Sequence, residues 1–302
     1  MANGGIDDIF IAYPLIGPGK ITRATGLAKK IKRLILAVDS FEGASALSAE
    51  AQAKNIEFEI RLEVNTGAKR TGVHPESGVV LAEKINELPG LRLTGLFTFK
   101  GMIHDERPTT DSKQAALEEC TMLAEMAKNL KSRGIQIRDL SAGATPTSAA
   151  CAELAGKGLV TEIRPGTYVF NDMMCLLQKA CEPADIAARI LATVVSTPFP
   201  EYAVIDGGSK TFPTDTALNT PPFYVHSFAY VSGKENLRLD RVNEEHGMLR
   251  SESGGPTGLK IGDVLELIPS HICTAVNLQN YVYVKESGSY RKMPVDARGM
   301  LV

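Results

Sequence analysis

Short β-branched and aromatic runs alternate with helix-period segments through the first half of the chain. The runs fall at 9–13, 34–38, 58–64, 93–99, 137–143 and 161–169, with the length and residue types of strands. The clearest helix signal spans 111–133, where Ala116, Cys120, Leu123, Ala127 and Leu130 recur every three or four residues and Gly134 supplies the stop. Such alternation predicts a parallel sheet with right-handed crossovers, in a (β/α)8 barrel or a doubly wound sheet. Past Ile186 the texture changes. "RILATVVST", "YAVIDGGSK", "YVHSFAYV", "DVLELIPSHICTAV" and "YVYVKES" are β-rich and separated by turn residues. No helix is expected among them. The reading is an α/β domain over 1–184 and a β-rich domain over 185–302.

Composition narrows the class. At 302 residues, 44% hydrophobic and 23% charged, the chain resembles a soluble globular protein. A formal net charge of −2 and the lack of a basic run argue against a nucleic-acid partner. No apolar stretch approaches the roughly 18 residues of a membrane span, and "MANGGIDDIF" is unlike a signal peptide. The cysteines at 120, 151, 175, 181 and 273 form no Cys-x-x-Cys pair and read as free thiols. A cytoplasmic protein is expected.

In parallel α/β folds the chemistry sits at the C-terminal ends of the strands. "NTGAKRTGV", "KGMIH", "SAGATPTSAA" and "RPGTYVFND" follow the third to sixth runs. In the last two, Ala142, Gly143, Ala144 and Gly166 let backbone N–H groups approach an anion, and Ser141, Thr145, Thr147 and Thr167 add hydroxyl donors. Together they read as a phosphate cradle. Near the C-terminus, "SHICTAV" sets His271 and Cys273 two apart. On an extended strand both project from one face, so both could reach one metal ion, the other reading being a core cysteine beside a satisfied histidine. A structural zinc site normally takes four ligands, which leaves positions for water or substrate. His246 in "EEHG" is a further active-site candidate, while His74, His104 and His226 read as surface or core residues.

"NTGAKRTGV", "SAGATPTSAA" and "RPGTYVFND", then "VIDGGSKTFPTD", "EEHG" and "SHICTAVN", resemble in content and order the fold-type III pyridoxal-phosphate enzymes. Within these the chain is similar to the D-threonine aldolase and D-serine dehydratase group, related to alanine racemase. The resemblance implies an alanine-racemase-like (β/α)8 barrel, here with about six strands, followed by the β-rich domain. It implies pyridoxal 5'-phosphate and zinc, or another divalent metal, as cofactors, a D-amino acid substrate and a homodimer. Arg70 would lie near the cofactor's phenolic oxygen and Arg164 would face its pyridine nitrogen. Thr145, Gly166 and Thr167 would hold the phosphate, Tyr168 would lie against the cofactor, and His271 and Cys273 would bind the metal. The expected reaction is β-elimination from D-serine or hydroxyaspartate, or retro-aldol cleavage of D-threonine. Racemisation is a third enzyme reading, favoured by Arg164 and opposed by the metal pair.

One element departs from the pattern. These enzymes hold the cofactor on a Schiff-base lysine that, by the resemblance, precedes the segment "GIDDIFIAYPL". The chain therefore reads as an N-terminally truncated member lacking two strands and turning over little by itself, or as a non-catalytic binding protein. Lys100 is the one substitute at a strand end, and a solvated surface lysine is its simpler reading.

Overall fold

The computed structural model describes residues 1–300. The chain forms two compact units, Met1–Pro165 and Gly166–Val302. In the first, β1 (Asp8–Pro14), β2 (Arg33–Val38), β3 (Phe58–Glu63) and β4 (Leu91–Phe97) alternate with α1 (Pro18–Ala28), α2 (Phe41–Lys54) and α3 (Pro75–Asn86). A small hairpin, β5 (Ile103–His104) and β6 (Arg107–Pro108), precedes α4 (Ser112–Ser132), β7 (Asp139–Ser141) and α5 (Ser148–Ala155). The parallel sheet runs β1-β2-β3-β4-β7, the half-barrel form of the expected fold. The long helix lies where the periodicity put it. Asp111 caps α4 by accepting from the N–H groups of Lys113 and Gln114, both at 3.0 Å. Gly134 leaves the helix at φ 84°.

The sixth run is not a sixth strand. Residues 161–169 make one parallel bridge, Ser141 to Glu162, carried by Ala142 N–H to the Glu162 carbonyl at 3.0 Å. Pro165 then has no N–H with which to extend the ladder, and Thr167–Val169 closes into a 3-10 turn. The parallel sheet has five strands among the described residues, not six.

Strand β3 is buried on both faces, but the two faces differ. Phe58, Ile60 and Leu62 join the apolar core with Leu47, Ala51, Val79, Ala82 and Ile85 of α2 and α3. The opposite face carries Glu59, Arg61 and Glu63, all buried. Arg61, 1% exposed, donates to Glu162 at 2.7 Å and to Asp139 at 3.2 Å, and its guanidinium lies 4.5 Å from the Phe10 ring centroid. Arg33 and Arg138 each pair with both Glu59 and Asp139. Removing a charge from water costs several kcal/mol per ion, which the pairing of Arg33, Arg61 and Arg138 with Glu59, Asp139 and Glu162 offsets.

The second unit holds α6 (Met173–Leu177), β8 (Ile190–Phe199), β9 (Tyr202–Ile205), β10 (Ala229–Val231), β11 (Leu237–Val242), β12 (Gly247–Ser251) and β13 (Val264–Pro269). After these come α7 (Ile272–Leu278) and the hairpin β14 (Tyr281–Glu286) and β15 (Ser289–Pro294). The antiparallel sheet runs β10-β13-β8-β9-β12-β11. Its strands alternate as half-buried strands do, giving a core that includes Ala192, Val194, Ala203, Ile205, Leu239 and Leu267. The "DGG" turn after β9 packs backbone to backbone: a Cβ on Gly208 would stand 2.1 Å from the Asn243 carbonyl oxygen. "SHICTAV" is not a strand. β13 stops at Pro269, His271 is an extended N-cap, and Cys273 lies in the first turn of α7.

Replacing Arg61 with leucine leaves Asp139 and Glu162 without their buried partner and is expected to cost about 3–5 kcal/mol of unfolding free energy, read by urea denaturation. A loss below about 1 kcal/mol would remove Arg61 from this central role. Acid should act on the same layer. Burial alone would raise the Glu59 carboxyl, but hydrogen bonds from Arg33 and Thr94 outweigh it and hold it at about 2, against 4.5 ordinarily. With the folded value depressed, the stabilisation is present above the unfolded value and is lost as pH falls from 4.5 towards 2. Glu59→Gln should flatten that part of the acid-unfolding curve.

Candidate active site

In the first unit the strand ends carry a connected polar floor. The Ser141 hydroxyl donates to Glu162 at 2.5 Å, and the Arg164 guanidinium donates to the Ser141 hydroxyl and to the Thr98 carbonyl. Burial lowers the Arg164 pKa. Thr66 and Thr98 pair hydroxyl to hydroxyl at 2.7 Å. At the end of β3, Glu63 accepts from Thr71 at 2.7 Å, and its second oxygen, Oε2, is buried without a hydrogen-bond partner among the described residues. Burial raises this carboxyl above its ordinary range. Asp39 accepts from Gly72 N–H at 3.3 Å. Together these contacts fix the "KRTGV" turn, whose Arg70 is exposed and stacks on Phe99 at 4.2 Å.

The "SAGATPT" loop is braced from below. Ala144 N–H donates to the Thr147 hydroxyl at 3.1 Å, and Thr147 donates to the fully buried Glu119 at 3.2 Å. Burial raises Glu119 as well. The hydroxyls of Ser141 and Thr147 are thus turned inward onto carboxylates, not outward as anion donors. Gly143 adopts φ +87°, and a Cβ there would lie 3.0 Å from Cys151 Sγ, so the loop needs glycine. Thr145 is buried at its tip.

Lys100 is not the solvated lysine its sequence context suggests. It is 2% exposed, with Nζ 2.5 Å from Glu118 Oε2. That oxygen also receives His104 Nδ1 at 2.8 Å and Asp105 N–H at 3.0 Å. A lysine brought into a folded interior needs such a counter-charge.

The second unit gathers a different set. The His271 ring gives Nδ1 to Asp215 Oδ2 at 2.6 Å, and the Thr274 hydroxyl donates to Asp215 Oδ1 at 3.0 Å. Cys273 Sγ lies 3.6 Å from Thr167 Oγ1. Asp172, fully buried, accepts from Cys175 N–H at 2.8 Å and from Ile272 N–H at 2.9 Å. Hydrogen bonding to Cys273, and secondly to Asp215, raises His271 to about 9. The bond from His271 in turn lowers the Cys273 thiol. Gly166 and Tyr168 are exposed in the same unit as Thr167, and His246 is exposed in the turn between β11 and β12.

Of the residues singled out by sequence, Thr167, His271 and Cys273 come together in the second unit, while Arg70, Thr145 and Arg164 are held at strand-end loops of the first. Sequence reasoning missed Glu63, Glu119, Asp172 and Asp215. Asp172 carried a signal, as an acidic residue directly before the apolar "MMCLL". Asp215 carried none, because its partner is 56 positions away.

A parallel half-barrel followed in sequence by an antiparallel β-rich domain is the architecture of the alanine-racemase-like class. The family of the alanine racemase N-terminal domain matches residues 13–173, and that of the putative serine dehydratase domain matches residues 187–285. The chain belongs to this alanine-racemase-like family of D-threonine aldolases and D-serine dehydratases. It is 28% identical to D-threonine aldolase from an Arthrobacter species, over 98% of this chain and 75% of that one. With D-serine dehydratase from Dictyostelium discoideum it shares 30% identity over 91% of this chain and 73% of that one. Among solved structures, D-threo-3-hydroxyaspartate dehydratase from Delftia sp. HT23 superposes with a TM-score of 0.84 at 27% identity, covering 97% of this chain and 80% of that one. Solved forms of a D-threo-3-hydroxyaspartate dehydratase include a histidine-to-alanine mutant and a cysteine-to-alanine mutant in the metal-free form.

Asp172→Ala leaves two buried N–H groups unpaired and is expected to destabilise the chain by about 2–4 kcal/mol, measured by denaturant unfolding. A change within about 0.5 kcal/mol would show that water replaces the carboxylate and that Asp172 does not anchor α7.

Proposed function

We propose that the chain acts as a pyridoxal-phosphate-dependent, metal-assisted lyase on D-3-hydroxy amino acids, dehydrating D-serine or hydroxyaspartate or cleaving D-threonine. The observation that carries this reading is the His271–Cys273 pair, held by Asp215 and Thr167 in one unit. An imidazole nitrogen and a thiolate suit zinc, and the lowered Cys273 thiol is already disposed towards its ligand form. Among the described residues no group of three or more His, Cys, Asp or Glu converges on one metal position. Two protein ligands leave positions open, as a catalytic rather than a structural ion requires. Zinc there would supply a Lewis acid for the substrate's β-hydroxyl.

The first unit fits an anionic aromatic cofactor in its donors: Arg70 and Arg164, and the glycine loop ending in Thr145. Pyridoxal phosphate, when bound, supplies the electron sink for charge left at Cα. Arg164 is aimed by Ser141 and the Thr98 carbonyl, and a guanidinium donates hydrogen bonds without releasing its proton. The phosphate falls in this reading to Thr145, Gly166 and Thr167, and the ring to Tyr168. The homodimer and cytoplasmic placement belong to the same proposal.

A second reading, cofactor and metal binding without turnover, is favoured by one observation. Lys100, the candidate nucleophile, is committed to Glu118.

Purified chain with pyridoxal phosphate and zinc is to be given D- and L-serine, D- and L-threonine and D-threo-3-hydroxyaspartate. The lyase reading expects pyruvate, oxaloacetate, or glycine with acetaldehyde from D-substrates alone, with at least about tenfold loss in Cys273→Ala and on chelation. Equal turnover of L-substrates, or indifference to both treatments, would sink it. Binding of both cofactors with no product from any substrate would establish the second reading.

A further inference from the structure

The loop from Asp206 to Val225, between β9 and β10, enters the proposed function only through Asp215, and it is fixed at several points. Phe212 is fully buried in the second core. Ser270 donates to the Thr216 hydroxyl at 3.5 Å. Between these anchors stands Asp215, with both carboxylate oxygens engaged on one turn of chain: Oδ2 on His271 Nδ1 at 2.6 Å and Oδ1 on the Thr274 hydroxyl at 3.0 Å. A carboxylate held this way fixes the rotation of the imidazole as well as its place. With Nδ1–H given to Asp215, the ring presents Nε2 as its remaining donor atom.

We infer that Asp215 is a positioning residue for a divalent cation, acting through the His271 ring and not as a ligand itself. The inference rests on the metal reading above and adds the residue that sets the ligand's orientation. A carboxylate behind a ligating histidine selects the tautomer that offers Nε2 and raises the basicity of that nitrogen. Its oxygens are both engaged, by His271 and Thr274, and among the described residues it is not part of a three-residue ligand cluster. Thr274 completes the arrangement by holding the carboxylate from the same helix that carries Cys273. The chain thus uses one acidic side chain to lock the imidazole to the helix bearing the second ligand.

Zn2+ affinity, by competition with a chromophoric chelator, is to be measured for the full chain, Asp215→Ala and the isosteric Asp215→Asn. Asp215→Ala should bind about 10–100-fold more weakly, and Asp215→Asn, which keeps an acceptor oxygen, should recover part of the loss. Saturating Co2+ should still give the thiolate-to-metal band in both variants, because Cys273 is untouched. Equal Zn2+ affinity in all three proteins would overturn the role of Asp215 while leaving the metal reading intact. A parent chain that binds no Zn2+ would instead overturn the metal reading. The positioning role is then decided by 15N spectra of the metal-free imidazole. A His271 Nδ1–H proton protected in the parent and lost to exchange in Asp215→Ala supports it, and equal protection in both overturns it.

Discussion

The first unit depends on one guanidinium. Arg61 projects from the centre of β3 and is 1% exposed, so its donors turn to carboxylates of the fold. It reaches Asp139 on β7 and Glu162 beyond it, so a single side chain ties the middle of the sheet to its last strand. Two parallel donors to Glu162, at 2.7 and 3.1 Å, set orientation as well as distance. A lysine has no such fork. From Glu162 the order passes through Ser141 to Arg164. The aim of Arg164 at the strand ends is thus inherited from a residue deep in the sheet.

Residues 161–169 contain strand-forming sequence but form no strand. Side chain and backbone both hold Glu162 beside β7: its carboxylate accepts from Arg61 and Ser141, its N–H donates to the Leu140 carbonyl at 3.1 Å, and its carbonyl accepts from Ala142 N–H at 3.0 Å. Arg164 N–H still reaches the Gly143 carbonyl at 3.1 Å before Pro165, which has no N–H, ends the pairing. Composition alone does not separate such a segment from a true edge strand, because Thr, Ile, Tyr and Val fit both.

The first four strands and the long helix were legible because each is specified locally, by β-branched runs, by a 3.6-residue period, and by Asp111 and Gly134 at the helix ends. The strand-end loops were legible for the same reason, since glycine and hydroxyl residues mark turns. The charged face of β3 was visible as strict alternation in "FEIRLE", but alternation ordinarily means one face in water, and here both faces are buried. Lys100 failed in the same direction: only the fold brings Glu118 to it. His271 and Cys273 were singled out through spacing, although the spacing argument assumed a strand that the structure replaces with a helix start. What the sequence could not supply were the partners. Asp215 and Asp172 reach the start of α7 from 56 and 100 positions away.

Those two carboxylates also show why the pair survives the change from strand to helix. Residues two apart diverge by about 200° around a regular helix, so His271 and Cys273 would be separated if both lay inside α7. Instead the helix begins between them. His271 keeps extended backbone at φ −137°, and Asp172 takes the Ile272 N–H that opens the helix, fixing where the turn starts. Asp215 then bonds forward to Thr274 and back to His271, spanning the same first turn. One carboxylate sets the backbone switch and the other sets the ring, which leaves Cys273 to be placed by the helix itself. A cation bound as proposed above would meet two side chains already placed at the head of α7, with positions left for a substrate hydroxyl.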